Sequence, residues 1–105
     1  MRVPLWKIAH ARSGDKADRA DIGLFAWDAP TYAVLKREVT PERVKQHFRA
    51  MCEGPVELWP LDNLLALKIV LNRALRMDNL GKAVAAQLLR MEVEAPADLP
   101  RLKGK

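Results

Sequence analysis

Apolar positions recur along this chain with either strand or helix spacing. Val3 to His10 (VPLWKIAH) alternates loosely and is rich in Trp, Ile and Val, which predicts a strand. Residues 21–27 (DIGLFAW) are apolar on both faces, which predicts an inner strand, with Gly23 permitting a bulge or a close backbone approach. Asp28-Ala29-Pro30 is a helix start: Asp28 can cap, and Pro30 loses no needed N–H in the first turn. Tyr32, Leu35 and Val39 then line one face. Thr40-Pro41-Glu42 restarts the helix, with Thr40 as cap, and Val44, Phe48 and Met51 follow at helical spacing. Gly54-Pro55 ends it, Gly54 being suited to a left-handed conformation. Val56 to Leu61 (VELWPL) predicts a strand at a sheet edge, because Pro60 cannot donate to a ladder. Asp62-Asn63 predicts a turn. The run 64–72 (LLALKIVLN) fits a strand through Leu65, Leu67, Ile69 and Leu71 and a helix through Leu64, Leu67, Leu71 and Leu75; Ile69-Val70 and the upstream turn favour the strand. Asp78 caps a last helix with Leu80, Val84, Leu88 and Met91 on its buried face, where Gly81 costs about 1 kcal/mol relative to alanine. Pro96 and Pro100 predict an irregular tail.

The resulting order is ββαββα, which predicts the α+β two-layer solution: a four-stranded antiparallel or mixed sheet with helices covering one face. At 105 residues one domain is expected, over 1–95, with an irregular basic tail over 96–105. No run approaches the roughly 18 apolar residues of a membrane helix. The start of the chain has no signal-peptide pattern, so a cytoplasmic location is expected. A single cysteine, Cys52 on an apolar helix face, excludes a disulfide framework and a cysteine metal cluster. The formal net charge of +5 raises the question of nucleic acid. The basic residues are dispersed, however, and no aromatics alternate with them along the sequence, so no nucleic-acid partner is expected. Trp6, Trp27 and Trp59 fall on different expected strands; core packing accounts for them, and outward-facing ones would form an interaction surface.

The segment between the first two strands is unusual. Residues 10–22 hold one histidine, two arginines, one lysine, three aspartates, a serine and a glycine. Gly14 predicts a turn or loop there. Such a loop can present successive N–H groups to an anion, with Arg12 and Lys16 adding charge and Ser13 a hydroxyl donor. Arg12, Ser13, Gly14, Asp15 and Lys16 are therefore the expected ligand-binding residues, for a carboxylate, a phosphate or part of a CoA. Three other readings stand beside it. Asp15, Asp18 and Asp21 can pair with Arg12, Lys16 and Arg19 and simply pin the loop. His10, Asp15 and Lys16 can serve as proton-transfer or charge-stabilising groups of a small enzyme. Ser13, His10 and Asp15 have the residue types of a triad, but the nucleophile-elbow pattern is missing. The aspartate spacing does not match a calcium loop, and no metal is expected. His47, in a helix beside Phe48, is assigned no role.

The stretch HARSGDKADRADIG, preceded by the strand LWKIA, resembles the AHARSGDKG…NIG signature of the AtuA-like family, named for acyclic terpene utilisation. The resemblance continues through TPERVKQHF, LALKIVLNRAL and LGKAVAAQLLRMEVE, and covers residues 4–95. It implies a small ferredoxin-like domain that follows a larger N-terminal domain or stands alone. "Ferredoxin-like" describes topology: with one cysteine the chain cannot hold an iron–sulfur cluster, and no cofactor is expected. The resemblance further implies an accessory domain that self-associates or docks on a larger AtuA-like chain. That domain helps bind an anionic small molecule of terpenoid or branched-acid catabolism. The alternative is a small independent enzyme acting on an acyl or terpenoid acid through His10, Asp15 and Lys16. This chain departs from the family pattern at Ala17 (glycine in the family) and Asp21 (asparagine). A glycine-rich loop of the family is nearly absent around Leu75–Asp78.

Overall fold

A computed structural model describes residues 1–16, 19–49, 52–73 and 81–103. Among the described residues six strands and four α-helices follow in chain order: β1 (Arg2–Pro4), β2 (Ala9–Lys16), β3 (Arg19–Ala26), α1 (Ala29–Glu38), α2 (Pro41–Phe48), β4 (Val56–Leu61), β5 (Ala66–Leu71), α3 (Gly81–Leu89), β6 (Glu92–Glu94) and α4 (Pro100–Lys103). The main sheet has the order β2-β3-β5-β4, and every neighbouring pair is antiparallel. Strands β3 and β4 therefore run parallel with β5 between them, and the α1–α2 unit joins them, a split β-α-β connection. A second, two-stranded ribbon pairs β1 with β6.

Alternation along β3 assigns the two faces of the sheet. Ala20, Ile22, Leu24 and Ala26 are buried, while Arg19 is exposed and Asp21, Gly23 and Phe25 are half-buried. The buried set packs with Leu67, Ile69 and Leu71 of β5 against Leu35 of α1, Val44 and Phe48 of α2, and Val84 and Leu88 of α3. This is the two-layer α+β architecture the pattern predicts. The opposite face of the sheet carries no described helix.

Local chemistry sets the helix starts. The Asp28 side chain accepts from Thr31 N–H at 2.9 Å, and Thr40 Oγ1 accepts from Arg43 N–H at 3.2 Å. Each cap contributes about 1 kcal/mol. The edge position of β4, the turn at 62–64 and the strand reading of 66–71 also agree with the pattern.

Several expectations need correction. The strand expected over 3–10 is broken: Leu5–Lys7 form a 3-10 turn between β1 and β2. Leu5 and Ile8 are both fully buried, a spacing of three that a turn satisfies and a strand does not. Gly14 is no turn residue. It lies within β2, opposite Asp21, so the charged segment is mainly a hairpin of two long strands rather than a loop. Helix α2 stops at Phe48, short of Gly54, and Met51 lies outside the described residues. Gly54 does not take a left-handed conformation either, since among the described glycines none has positive φ. Its lack of a side chain serves close packing instead: Gly54 N–H donates to Asn72 O at 2.9 Å, and a Cβ would stand 2.7 Å from that oxygen. The helix cap expected at Asp78, Leu80 and the 75–78 connection lie outside the described residues. The tail expected as irregular holds buried Leu99 and the short α4. Strand β6 carries no period-two signal because it is only three residues long and pairs with a strand some ninety residues away.

Glu38 ties the two sheets' surroundings together. Its carboxylate accepts from Glu94 N–H (3.0 Å), Arg43 Nη1 (2.9 Å) and Arg37 Nε (3.2 Å). The Glu94 N–H, helped by the two arginines and opposed by burial, holds the Glu38 carboxyl below its usual 4.5. A depressed folded value means the stabilisation is present above the unfolded pKa and is lost as pH falls through the lowered folded one. Thermal melts between pH 7 and pH 3 are therefore expected to show a stability loss starting near pH 4.5, and Glu38→Gln is expected to flatten part of it. An unchanged profile in the variant would remove Glu38 from the acid response.

Candidate functional site

The uncovered sheet face is organised by register into rows that cross the strands. One row is His10–Phe25–Ala66–Leu61, the next Arg12–Gly23–Lys68–Trp59, and the third Gly14–Asp21–Val70–Glu57. Adjacent rows stand two residues apart on each strand, about 6.8 Å. In the middle row Gly23 separates Arg12 from Lys68, so the two cations spring from strands about 10 Å apart.

A cavity of about 280 Å³ opens over this face, lined by Arg12, Gly14, Asp21, Gly23, Leu61 and Lys68 among others. Its floor is low at Gly14, whereas a ring covers Gly23. A Cβ on Gly14 would meet nothing within 4 Å, whereas one on Gly23 would stand 2.9 Å from Phe25 Cε1. Phe25 thus lies against Gly23, which is the close approach that Gly23 permits. Among the described residues neither Arg12 nor Lys68 forms an ion pair. Arg19 and Asp21 form none either; Asp18 and the side chains of Asp15 and Lys16, the other members of the expected charge pairs, lie outside the description. Asp21 Oδ1 is buried and has no hydrogen-bond partner.

The aromatic row is assembled in advance. The His10 ring stacks on Phe25 at 5.1 Å and 17°, and meets Trp27 at 4.3 Å and 34°. Arg101 of α4 covers the Trp27 ring at 4.6 Å. Trp59, at 46% exposure, ends the cation row on β4.

A larger cavity, about 390 Å³, lies among Arg2, Glu42, Arg43, His47 and Glu92. Most of its charges are satisfied internally. Arg2 pairs with Glu92 at 2.8 Å, Arg43 with Glu38 at 2.9 Å and with Glu92 O at 2.8 Å, and His47 Nε2 with Gln87 O at 2.7 Å. Cations already neutralised attract an anion weakly. The smaller cavity, whose arginine and lysine form no ion pair among the described residues, is the better candidate.

Alternation redistributes the residues expected as one loop. Arg12 and Gly14 share the open face with His10. Ser13 falls on the other face, in register with fully buried Ile22, and still lines the cavity. Asp15 and Lys16 end the strand, in register with Ala20 and Arg19. An extended strand sets their Cα atoms about 17 and 20 Å from that of His10. His10, Asp15 and Lys16 are therefore not brought together around one reacting atom, and Ser13, His10 and Asp15 lack triad geometry. Sequence reasoning missed Lys68. Its signal was present: it is the one charge in an otherwise apolar run, on the strand face that alternation leaves outward.

No group of three or more His, Cys, Asp or Glu placed to hold a metal exists among the described residues. Cys52 is buried, and burial pushes its thiol up from the usual value. No described helix is long and apolar enough to cross a membrane.

The sequence as a whole matches the family model of the AtuA ferredoxin-like domain over residues 3–94. The chain belongs to the AtuA ferredoxin-like domain family. Searches of curated proteins and of solved structures find no match. In this AtuA ferredoxin-like domain Asp21 sits one row from Arg12 and Lys68. Asp21→Asn is expected to stabilise the fold by about 1 kcal/mol, because it removes a charge whose buried oxygen has no donor. It is also expected to tighten anion binding at the neighbouring cations. Urea denaturation and calorimetry read the two effects, and a destabilised variant would show that the carboxylate has a role the contacts do not reveal.

Proposed function

We propose that this AtuA ferredoxin-like domain is an accessory binding domain. Its open sheet face holds an anionic small molecule between Arg12 and Lys68, and it works attached to a second copy or to a larger AtuA-like chain. The observation that carries this reading is the cation row: two unpaired basic side chains across a glycine, beside apolar Leu61. A cavity with a charged rim and an apolar side suits an anion with a hydrocarbon part, such as the carboxylate or acyl-CoA of a terpenoid or branched acid. Trp6 and Trp27, 58% and 51% exposed, are large apolar side chains left for a partner. The separation of His10 from Asp15 and Lys16 favours binding over independent catalysis.

Isothermal titration with octanoate and with inorganic phosphate tests the reading. Lys68→Ala is expected to weaken both by about tenfold, since a hydrogen bond to a charged group contributes about 1.5 kcal/mol or more. Absence of heat with either probe, or equal affinity in the variant, would reject the site.

A further inference from the structure

We propose that the open sheet face is built for a nucleoside phosphate, with the phosphate on Arg12 and Lys68 and the base on the aromatic row at Phe25. This deepens the anion-site reading of the cation row and rests on it.

Three observations converge. First, the aromatic row and the cation row are neighbours on the same face, one two-residue step of about 6.8 Å apart. Second, the aromatic groups are already in contact: Arg101 covers Trp27 at 4.6 Å, His10 meets Trp27 at a tilt at 4.3 Å, and His10 stacks on Phe25 at 5.1 Å. Both neighbours of Trp27 in that stack are occupied. Phe25 is its last member among the described residues, and Phe25 lies against Gly23, the residue between the two cations. A planar base extending the stack at Phe25 therefore brings its phosphate towards Arg12 and Lys68. Third, charge is ordered across the face. Asp21 stands on the far side of the cation row from the rings, so an anion with an aromatic end has one favoured orientation.

A simple carboxylate uses the cations but leaves the rings without a function. A bare aromatic ligand leaves Arg12 and Lys68 unpaired. A nucleoside phosphate matches both rows. The aromatic pattern was invisible along the sequence because His10 and Phe25 become neighbours only through cross-strand register.

The test compares AMP with ribose 5-phosphate, which keeps the sugar and phosphate and lacks the base. AMP is expected to bind about tenfold or more tightly than ribose 5-phosphate in calorimetry, the usual effect of stacking one base on an aromatic side chain. Phe25→Leu keeps an apolar cover over Gly23 and is expected to abolish that difference while leaving ribose 5-phosphate unchanged. His10→Ala, on the other strand, gives a second variant should Phe25→Leu melt early. Lys68→Ala is expected to weaken AMP and ribose 5-phosphate equally. Equal affinity of AMP and ribose 5-phosphate for the wild type would overturn the proposal while leaving the anion site intact if octanoate or phosphate still bind. No binding of any of the four probes would overturn both. The nucleotide can be free or part of a single strand, and octa-adenylate separates the sources. Affinity equal to that of AMP marks a free nucleotide as the ligand. Much tighter binding that falls steeply with salt marks a single strand.

Discussion

Gly54→Ala is expected to destabilise the domain by about 3 kcal/mol, the upper range for forcing an extra carbon into close-packed surroundings. The new Cβ would stand 2.7 Å from Asn72 O and 2.9 Å from both Asn72 C and Asn72 Cβ. Two of these atoms are backbone, so no side-chain rotation relieves the clash. The surroundings are also tied from several directions. Gly54 N–H donates to Asn72 O, Lys45 Nζ donates to Gly54 O at 2.6 Å and Cys52 O at 2.8 Å, and Asn72 Nδ2 donates to Pro55 O at 2.9 Å. Moving the segment away therefore weakens the bonds that join the end of the helical layer to β5. Urea denaturation should show a lower midpoint with an unchanged slope. Gly14→Ala is the control. A Cβ there meets nothing within 4 Å, so stability should change by no more than about 0.5 kcal/mol. Comparable losses in both variants would mean that backbone freedom, rather than the approach of Asn72, governs Gly54.

The second large effect is on binding. The double variant Arg12→Ala/Lys68→Ala is expected to lose about a hundredfold in affinity for inorganic phosphate, twice the logarithm of either single change. The two losses are expected to add only approximately, because the side chains spring from separate strands but hold the same anion. Binding to the wild type should weaken with added salt, and this dependence should be smaller in the double variant. Both positions are solvent-facing, and neither belongs to the core, so stability should stay within about 0.5 kcal/mol of the wild type. A double variant that binds as well as either single one would place the anion elsewhere.

The parts of the fold that depend on local chemistry were legible in the sequence. Asp28 and Thr40 cap because their side chains reach N–H groups three residues on, and Pro60 marks an edge strand because it lacks a donor. The parts that depend on distant partners were not. The β1–β6 ribbon joins segments three residues long from opposite ends of the chain, too short for any period to register. The polar half of β2 reads as a loop for a different reason. It is an edge strand whose outward positions face solvent, so His10, Arg12 and Gly14 need no apolar side chain. Of the candidate site, Arg12 and Gly14 were singled out in the sequence, and both line the cavity on the open face. Ser13 also lines that cavity, although strand alternation sets it on the other face from Arg12 and Gly14. Lys68 could be paired with Arg12 only once the order β2-β3-β5 was known.

Backbone amide shifts recorded during a titration with octanoate decide whether the open sheet face, and not the cavity beside α2, receives an anion. Arg12, Gly14, Gly23 and Lys68 are expected to shift together and saturably, while Arg43 and His47 stay in place. Shifts centred on Arg43 and His47, or none at the Gly23 row, would contradict it.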